Sequence, residues 1–342
     1  MCGISGVIAT NNPAFDIILY TLKQLQNRGY DSAGICSLSS DGQIALTKYA
    51  TTESSNALTR LEKDRELHMG MTGIGHTRWA THGAKTDSNS HPHASHYGKF
   101  VLSHNGIIEN FSILKSNLET EGYVFQSQTD TEVIVNLLER NFLRDQTIQK
   151  DVKQRVVCAI EQTICQLEGT WGLTILCIDD PETLYCTRYG SPLLVGRAPH
   201  CSIVTSEQSA FSPDVDYYFA LKNMDVCTIT RNIDRAGTHT IDVSTKDEYV
   251  LKQTLKQHIS TSPSPYPHWT LKEIYEQTES ICRAISNGGR IINEKEVKLG
   301  GLDEHRDCLL QIENIILLGC GTSYNAGLFG LTYFKELCDF NT

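Results

Sequence analysis

The chain of 342 residues has no apolar run long enough to span a bilayer. Its start lacks the basic residues and apolar stretch of a secretory signal, so the expected location is the cytosol, with no membrane partner. The 12 cysteines include no Cys-x-x-Cys pair. That absence argues against a zinc ribbon and a disulfide framework and leaves free thiols as the default. Proline is scarce at 9 residues, and three of these, Pro263, Pro265 and Pro267, crowd into one short stretch. Positive charge is in deficit, with 30 Lys and Arg against 40 Asp and Glu and a formal net charge of -10. Such a balance disfavours general nucleic-acid binding and suits an enzyme of small molecules. What is present is an ordinary globular composition, 40% hydrophobic and 20% charged, on a chain long enough for two domains.

Residues 2–243 read as many short strands with few long helices. Strand patterns fall at 3–9, 33–38, 44–49, 73–77 and 100–103, then at 172–178, 183–187, 193–195, 202–205 and 225–230. Helical spacing marks 13–27, 112–121, 131–144 and 152–167. Strands and helices arrive in blocks, which predicts an α+β fold with antiparallel sheets between helices instead of a doubly wound parallel sheet. The proline-rich stretch places a linker over 244–268. Beyond it, 269–342 reads as an amphipathic helix over 271–286, a short apolar strand over 315–318, a Gly-Cys-Gly-Thr-Ser turn and a further helix. A single strand-turn-helix opens a parallel α/β domain but does not close one.

Four groups of residues carry chemical potential. Cys2 follows the initiator methionine, and removal of Met1 would join a soft nucleophile to an amine able to act as its base. The competing reading is a small hydrophobe opening a buried strand. At 76–83, Arg78 stands at a strand end beside Trp79, Thr81 and His82; its planar fork suits a bidentate carboxylate grip, or simple stacking on Trp79. Asn105-Gly106 combines an amide donor with a backbone that permits close approach, as an oxyanion pocket requires, yet Asn-Gly is also a common hairpin turn. Asp130 either caps a helix or pairs with a substrate ammonium. His91-Pro92-His93 with His96 lacks the spacing of a metal site, and neither metal nor cofactor is expected.

Together, Cys2-Gly3-Ile4-Ser5-Gly6, residues 28–34, 77–83, 91–93, 104–110, 129–132, 190–193, 271–277 and 319–325 resemble the glutamine–fructose-6-phosphate aminotransferase family, a class II glutamine amidotransferase joined to a sugar isomerase. The resemblance implies an N-terminal-nucleophile hydrolase fold, a four-layer αββα sandwich over 2–243, followed by the incomplete start of a sugar-isomerase domain over 269–342. It implies Cys2 as nucleophile with its freed amine as base, and Asn105 with the Gly106 N–H as the oxyanion hole. Arg78, Trp79, Thr81, His82 and Asp130 fall in the glutamine-binding region, with Arg78 on the α-carboxylate, Asp130 on the α-ammonium and Trp79 at a gate on the ammonia path. Cys320, Gly321, Thr322 and Ser323 fall in part of a sugar-phosphate pocket. Ser206-Glu207 and Thr278 depart from the family pattern outside the chemistry.

The implied substrates are L-glutamine and fructose-6-phosphate, on the route to UDP-N-acetylglucosamine, with a homo-oligomer or a completing isomerase segment as partner. The chain alone is expected to retain the glutaminase half. Two other readings stand beside this one. The first is another class II amidotransferase feeding ammonia to a different acceptor; the second is a catalytically silent regulatory binder of glutamine or a sugar phosphate.

Overall fold

A computed structural model describes residues 2–26, 29–79, 83–144, 151–234, 237–254, 263–285, 288–294, 296–298, 302 and 305–338. The chain forms two compact units, Met1–Thr261 and Ser262–Thr342. In the first unit, β1 (Gly3–Ala9), α1 (Phe15–Gln24), β2 (Ser32–Leu38), β3 (Ile44–Ala50), α2 (Ala57–Leu61) and β4 (Thr72–Arg78) come first. The middle of the unit holds β5 (His93–Ala94), β6 (Phe100–Ile108), α3 (Phe111–Thr120), α4 (Asp130–Arg144), α5 (Val152–Ile164), β7 (Gly169–Cys177) and β8 (Thr183–Tyr189). It closes with β9 (Leu194–Ala198), β10 (Cys201–Thr205), β11 (Tyr217–Ala220), β12 (Val226–Ile233), β13 (His239–Ser244) and β14 (Lys252–Gln253).

The strands form two antiparallel sheets. The first runs β14-β11-β9-β10-β1-β4-β2-β3 and the second β13-β12-β8-β7-β6-β5. Three apolar layers separate four layers of structure. Helices α1 and α2 cover the first sheet through Phe15, Ile18, Leu22 and Leu58, against Val7, Ala33 and Ile35. Helices α3, α4 and α5 cover the second through Leu118, Val133, Leu137 and Ile160, against Phe100, Leu102 and Leu173. Between the sheets lie Ile4, Ile8, Ile74, Val101, Leu184, Val204 and Ile229.

The period of two along each strand assigns every side chain to one of these layers. In β1, Ile4 and Ile8 point into the space between sheets while Val7 and Ala9 meet helices. In β4, Ile74 points between the sheets, and its two neighbours, Gly73 and Gly75, are glycines. A Cβ at Gly75 would lie 2.4 Å from Cγ2 of Ile18, so the missing side chain lets α1 rest directly on the strand. Gly6, on the inner face of β1, similarly admits Leu184 and Thr174 of the opposite sheet, whose methyl groups would stand 3.1 and 3.2 Å from an added Cβ.

Two local readings differ from the structure. Asn105-Gly106 is no hairpin turn: β6 continues through both, with Asn105 opposite Gly172 and Gly106 opposite Trp171. The stretch 244–254 packs onto the first unit instead of serving as linker. Its β14 pairs with β11, Tyr249 packs at a tilt on Phe219 with ring centroids 4.5 Å apart, and its hydroxyl donates to Asp225 at 2.6 Å. Apolar burial and a carboxylate acceptor thus hold there what composition suggested would be loose.

The second unit comprises α6 (Trp269–Ala284), a hairpin of β15 (Ile291–Asn293) and β16 (Glu296–Val297), α7 (Arg306–Leu309) and α8 (Thr322–Cys338). The apolar segment 315–318, read as a strand, pairs with no strand among the described residues, and Leu318 is 91% exposed. With no sheet edge to receive them, the N–H and C=O groups of an apolar segment do not make a strand.

Leu184→Ala tests the packing between sheets. Removing this fully buried side chain opposite Gly6 is expected to cost about 2–5 kcal/mol in chemical denaturation. A loss under roughly 1 kcal/mol would show that the inter-sheet layer refills the space.

Candidate active site

The inner faces of β1, β4 and β6 converge at one end of the sandwich. Cys2 immediately precedes β1 and shares the parity of Ile4, so it continues the inner face at the strand's open end. His76 and Arg78 share the parity of Ile74 on β4, and Asn105 shares that of Val101 on β6. Pairing of Gly3 with Thr77 in the β1–β4 ladder sets Cys2 beside the end of β4.

At that end the Cys2 Sγ accepts a hydrogen bond from the Trp79 N–H at 3.3 Å and lies 3.7 Å from the Trp79 carbonyl. Burial pushes the thiol above its ordinary range, opposed by the Trp79 backbone and by the Arg78 charge, while Asp31 adds to the rise. The resting group is therefore a thiol that needs a base to become a nucleophile. Asn105 donates from Nδ2 to the Cys2 carbonyl at 2.9 Å. Its Oδ1 lies 3.0 Å from His76 Nε2, which also faces the His104 carbonyl at 3.1 Å.

Arg78 is 4% exposed. Burial depresses its guanidinium, while Asp130, Asp31 and any thiolate form of Cys2 act in the opposite sense. Asp130 opens α4 and is itself buried; its Oδ2 accepts from the Ile108 N–H at 3.0 Å and lies 3.9 Å from His104 Nδ1. Trp79 remains 46% exposed, edge-on to Tyr30 with ring centroids 5.4 Å apart. Gly106 adopts φ +136, and a Cβ there would stand 2.1 Å from the Thr170 carbonyl, so this position accepts only glycine.

Five of the residues expected in the glutaminase site, Cys2, Arg78, Asn105, Gly106 and Asp130, thus gather with Trp79 around one strand end. Thr81 and His82 lie outside the described residues. Cys320, Gly321, Thr322 and Ser323 belong to the second unit, where Gly321, at φ +58, turns the chain into α8 and all four are exposed.

Sequence reasoning set His91 and His93 aside as a metal site and gave no role to His76 or His104; these four histidines lie beneath the site. His91 stacks on His76 with centroids 4.2 Å apart, and its Nε2 lies 3.3 Å from Thr131 Oγ1. His93 Nε2 meets Thr129 Oγ1 at 3.1 Å. His104 places Nδ1 at 3.1 Å from Thr131 Oγ1 and Nε2 at 3.3 Å from the Thr170 carbonyl. Nε2 of all four rings and Nδ1 of His104 face hydroxyl, carbonyl or amide oxygens, Nδ1 of His76 and of His91 are buried without a hydrogen-bond partner, and among the described residues no group of three His, Cys, Asp or Glu side chains is arranged to hold a metal ion. Burial lowers all four imidazoles, His76 to about 3 and His91 and His93 well below their usual range, so the cluster is neutral. The available signal was the alternation of His76 with Ile74 on a strand whose other face begins with Gly73 and Gly75.

Residues 76–213 match the family model described as a glutamine amidotransferase domain. The chain carries a glutamine amidotransferase domain. Its four-layer sandwich is that of the N-terminal-nucleophile type, as in the glutamine phosphoribosylpyrophosphate amidotransferase from B. subtilis complexed with ADP and GMP. That structure aligns with a TM-score of 0.53 at 24% identity over 70% of this chain and 49% of its own. A structure described as the allosteric regulatory enzyme of purine biosynthesis aligns equally well, with a TM-score of 0.53 at 25% identity over 70% and 48%. Over nearly its whole length the chain is similar to proteins named glutamine–fructose-6-phosphate aminotransferase [isomerizing]. These include a probable one from Acanthamoeba polyphaga mimivirus (37% identical, 98% of this chain, 52% of that protein). Those of Acinetobacter baylyi and Escherichia coli K12 are 34% and 36% identical, each over 98% of this chain and 52% of its own length. The chain spans about half the length of the curated relatives it matches.

Neutral burial of the histidines has a thermodynamic consequence. Folded pKa values lie below the unfolded value of 6.5, so the unfolded state binds protons first as pH falls. Their contribution is fully present above pH 6.5 and is lost as pH drops toward about 3 for His76. Each is expected to contribute a slope of up to about 1.4 kcal/mol per pH unit below that point. Urea midpoints measured at pH 7.5, 6 and 5 should fall progressively, and a flat profile would contradict neutral burial.

Proposed function

We propose that this amidotransferase hydrolyses L-glutamine at Cys2 and that the ammonia released serves glucosamine-6-phosphate synthesis from fructose-6-phosphate. The observation that carries the reading is the convergence on Cys2 of a backbone donor from Trp79 and the amide of Asn105, with Arg78 within electrostatic reach of the thiol. The names of the relatives supply the acceptor.

In this mechanism Met1 is removed and the Cys2 amine takes the thiol proton, which fits a thiol that burial holds protonated. The thiolate adds to the side-chain amide carbon of glutamine, and the negative charge that develops on its oxygen is met by Asn105 Nδ2–H and the Gly106 N–H. Transfer of the proton to the leaving nitrogen breaks the C–N bond and releases ammonia. Water then adds to the thioester and returns the thiol with glutamate. Arg78 holds the α-carboxylate by its planar fork, Asp130 receives the α-ammonium, and Thr81 and His82 complete the glutamine pocket. Trp79, exposed beside the thiol, is assigned the gate for ammonia. Cys320, Gly321, Thr322 and Ser323 are assigned to part of a sugar-phosphate pocket, and the cytosol is the setting.

Cys2→Ala should abolish glutamate release while leaving the unfolding midpoint within a few degrees. Arg78→Lys should raise KM for glutamine far more than it lowers kcat, because a point charge does not reproduce a bidentate grip. Asn105→Ala should instead lower kcat by about a hundredfold or more. Exchange of these two signatures would overturn the roles. Intact mass of active enzyme with Met1 retained would refute the free-amine base. Assaying the same samples for glucosamine-6-phosphate, with and without fructose-6-phosphate, tests the acceptor separately from hydrolysis.

A further inference from the structure

An asparagine amide is an oxyanion donor only while its nitrogen, and not its oxygen, faces the reacting carbonyl. The two ends of the group are nearly the same size, so sterics alone do not decide which way it lies. In this site the choice is made through hydrogen bonds. His76 Nε2 faces two acceptors, the His104 carbonyl at 3.1 Å and Asn105 Oδ1 at 3.0 Å. A backbone carbonyl only accepts, so the His104 carbonyl requires the hydrogen on Nε2. An Nε2–H in turn repels an amide NH2 and attracts an amide oxygen. The Asn105 oxygen is thereby drawn toward His76 and its nitrogen toward the nucleophile, where one N–H donates to the Cys2 carbonyl at 2.9 Å. The amide carries a second N–H, and this is the one assigned to the developing oxyanion.

We propose that His76 is a positioning residue for the amidotransferase reaction: as a neutral Nε2–H imidazole, locked by the His104 carbonyl, it fixes the orientation of the Asn105 amide that stabilises the oxyanion. This rests on the reading of Asn105 given above and deepens it. Several features fit the role. His76 is fully buried, packed face to face on His91, and on the inner face of β4 directly across from β6. Burial and the neighbouring Arg78 charge keep it neutral, so the donor arrives without a second positive charge beside Arg78. The lock comes from the backbone of the residue immediately before Asn105, so donor and orienting acceptor move as one piece of strand.

The test compares His76→Gln, whose amide nitrogen can stand near the place of Nε2 and donate, with His76→Phe, which keeps the planar stack but not the donor. His76→Phe is expected to lower kcat for glutamine hydrolysis by about 10- to 100-fold with KM changed less than about threefold, and His76→Gln to recover most of the loss. In the Asn105→Ala background, His76→Phe should cost less than about threefold further, because an absent amide cannot be misoriented. Equal kcat in the Phe variant and the wild type, equal losses in Gln and Phe, or full multiplication with Asn105→Ala would each overturn the proposal.

A measurement on the unmutated chain keeps the inference testable if the Phe variant does not fold, and separates it from the glutaminase reading. Long-range 1H–15N spectra of the imidazoles should show His76 in the Nε2–H tautomer and uncharged down to pH 5. An Nδ1–H tautomer would refute the lock even in a fully active enzyme. The expected tautomer in a chain that releases no glutamate would leave the lock standing and refute Asn105 as an oxyanion donor.

Discussion

Everything at the site depends on the register in which β1 lies against β4. Gly3 stands opposite Thr77 and Ile4 opposite His76. A slip of one residue would send Ile4 and Ile8 to the helix side and carry Cys2 away from the space that Asn105 enters. Two packing requirements hold the register from opposite directions. On the inner face Ile4, Ile8 and Ile74 fill the layer between sheets, and on the outer face Gly73 and Gly75 make the groove that receives Ile18. A shift in either direction would bury a void on one side and a clash on the other, each costing of order 1–5 kcal/mol. The position of Cys2 is thus a by-product of hydrophobic burial, which provides precision that a loop would not.

Much of this was legible in the sequence because period-2 alternation is a local signal. The strand 3–9 was read at its true bounds, and Ala33, Ile44 and Gly73 each fell within a residue of a strand start. The helices over 131–144 and 152–167 followed from apolar spacing in the same way. Non-local pairing was harder to see. Asn105-Gly106 has the chemistry of a turn, yet β7 captures both residues in its ladder, and the tertiary partner outweighs the local preference. The reach of the first unit to β14 was hidden for the same reason: two residues gain a strand only from the edge that β11 offers. Among site residues, Cys2, Arg78, Asn105 and Asp130 were named from side-chain chemistry. His76 drew no role of its own because the group it faces lies 29 residues away, and spacing does not encode that contact.

The neutral histidines illustrate how this interior handles polarity. An imidazole offers one donor and one acceptor without net charge, so it can link strand carbonyls and threonine hydroxyls where a lysine or carboxylate would incur a Born penalty of several kcal/mol. Thr131 bridges His91 and His104, and Thr129 serves His93, so the first residues of α4 and the turn before it are tied to both β5 and β6. Asp130 sits in the middle of this array with its carboxylate held by the Ile108 N–H. Formal charge acts here as well: Asp130 and Asp31 act on Arg78, and Lys48 acts on His93, in a medium where such interactions are strong.

The two neighbours of β1 come from very different parts of the chain. One flank is closed by β4, but the other is closed by β10, which pairs Ser5 with Thr205. During synthesis β1 is therefore an edge waiting for β10, which is made last among the strands touching it. Until Cys201–Thr205 leaves the ribosome, β1 has one bare side, and Ser206, whose hydroxyl receives the Ile4 N–H at 3.2 Å, is not there to steady the turn of chain beside Cys2. Loop closure over so long a separation is slow and is compensated only when the whole sheet docks. Assembly of the Cys2 site would then be a late event of biosynthesis, coupled to completion of the sheet that contains it.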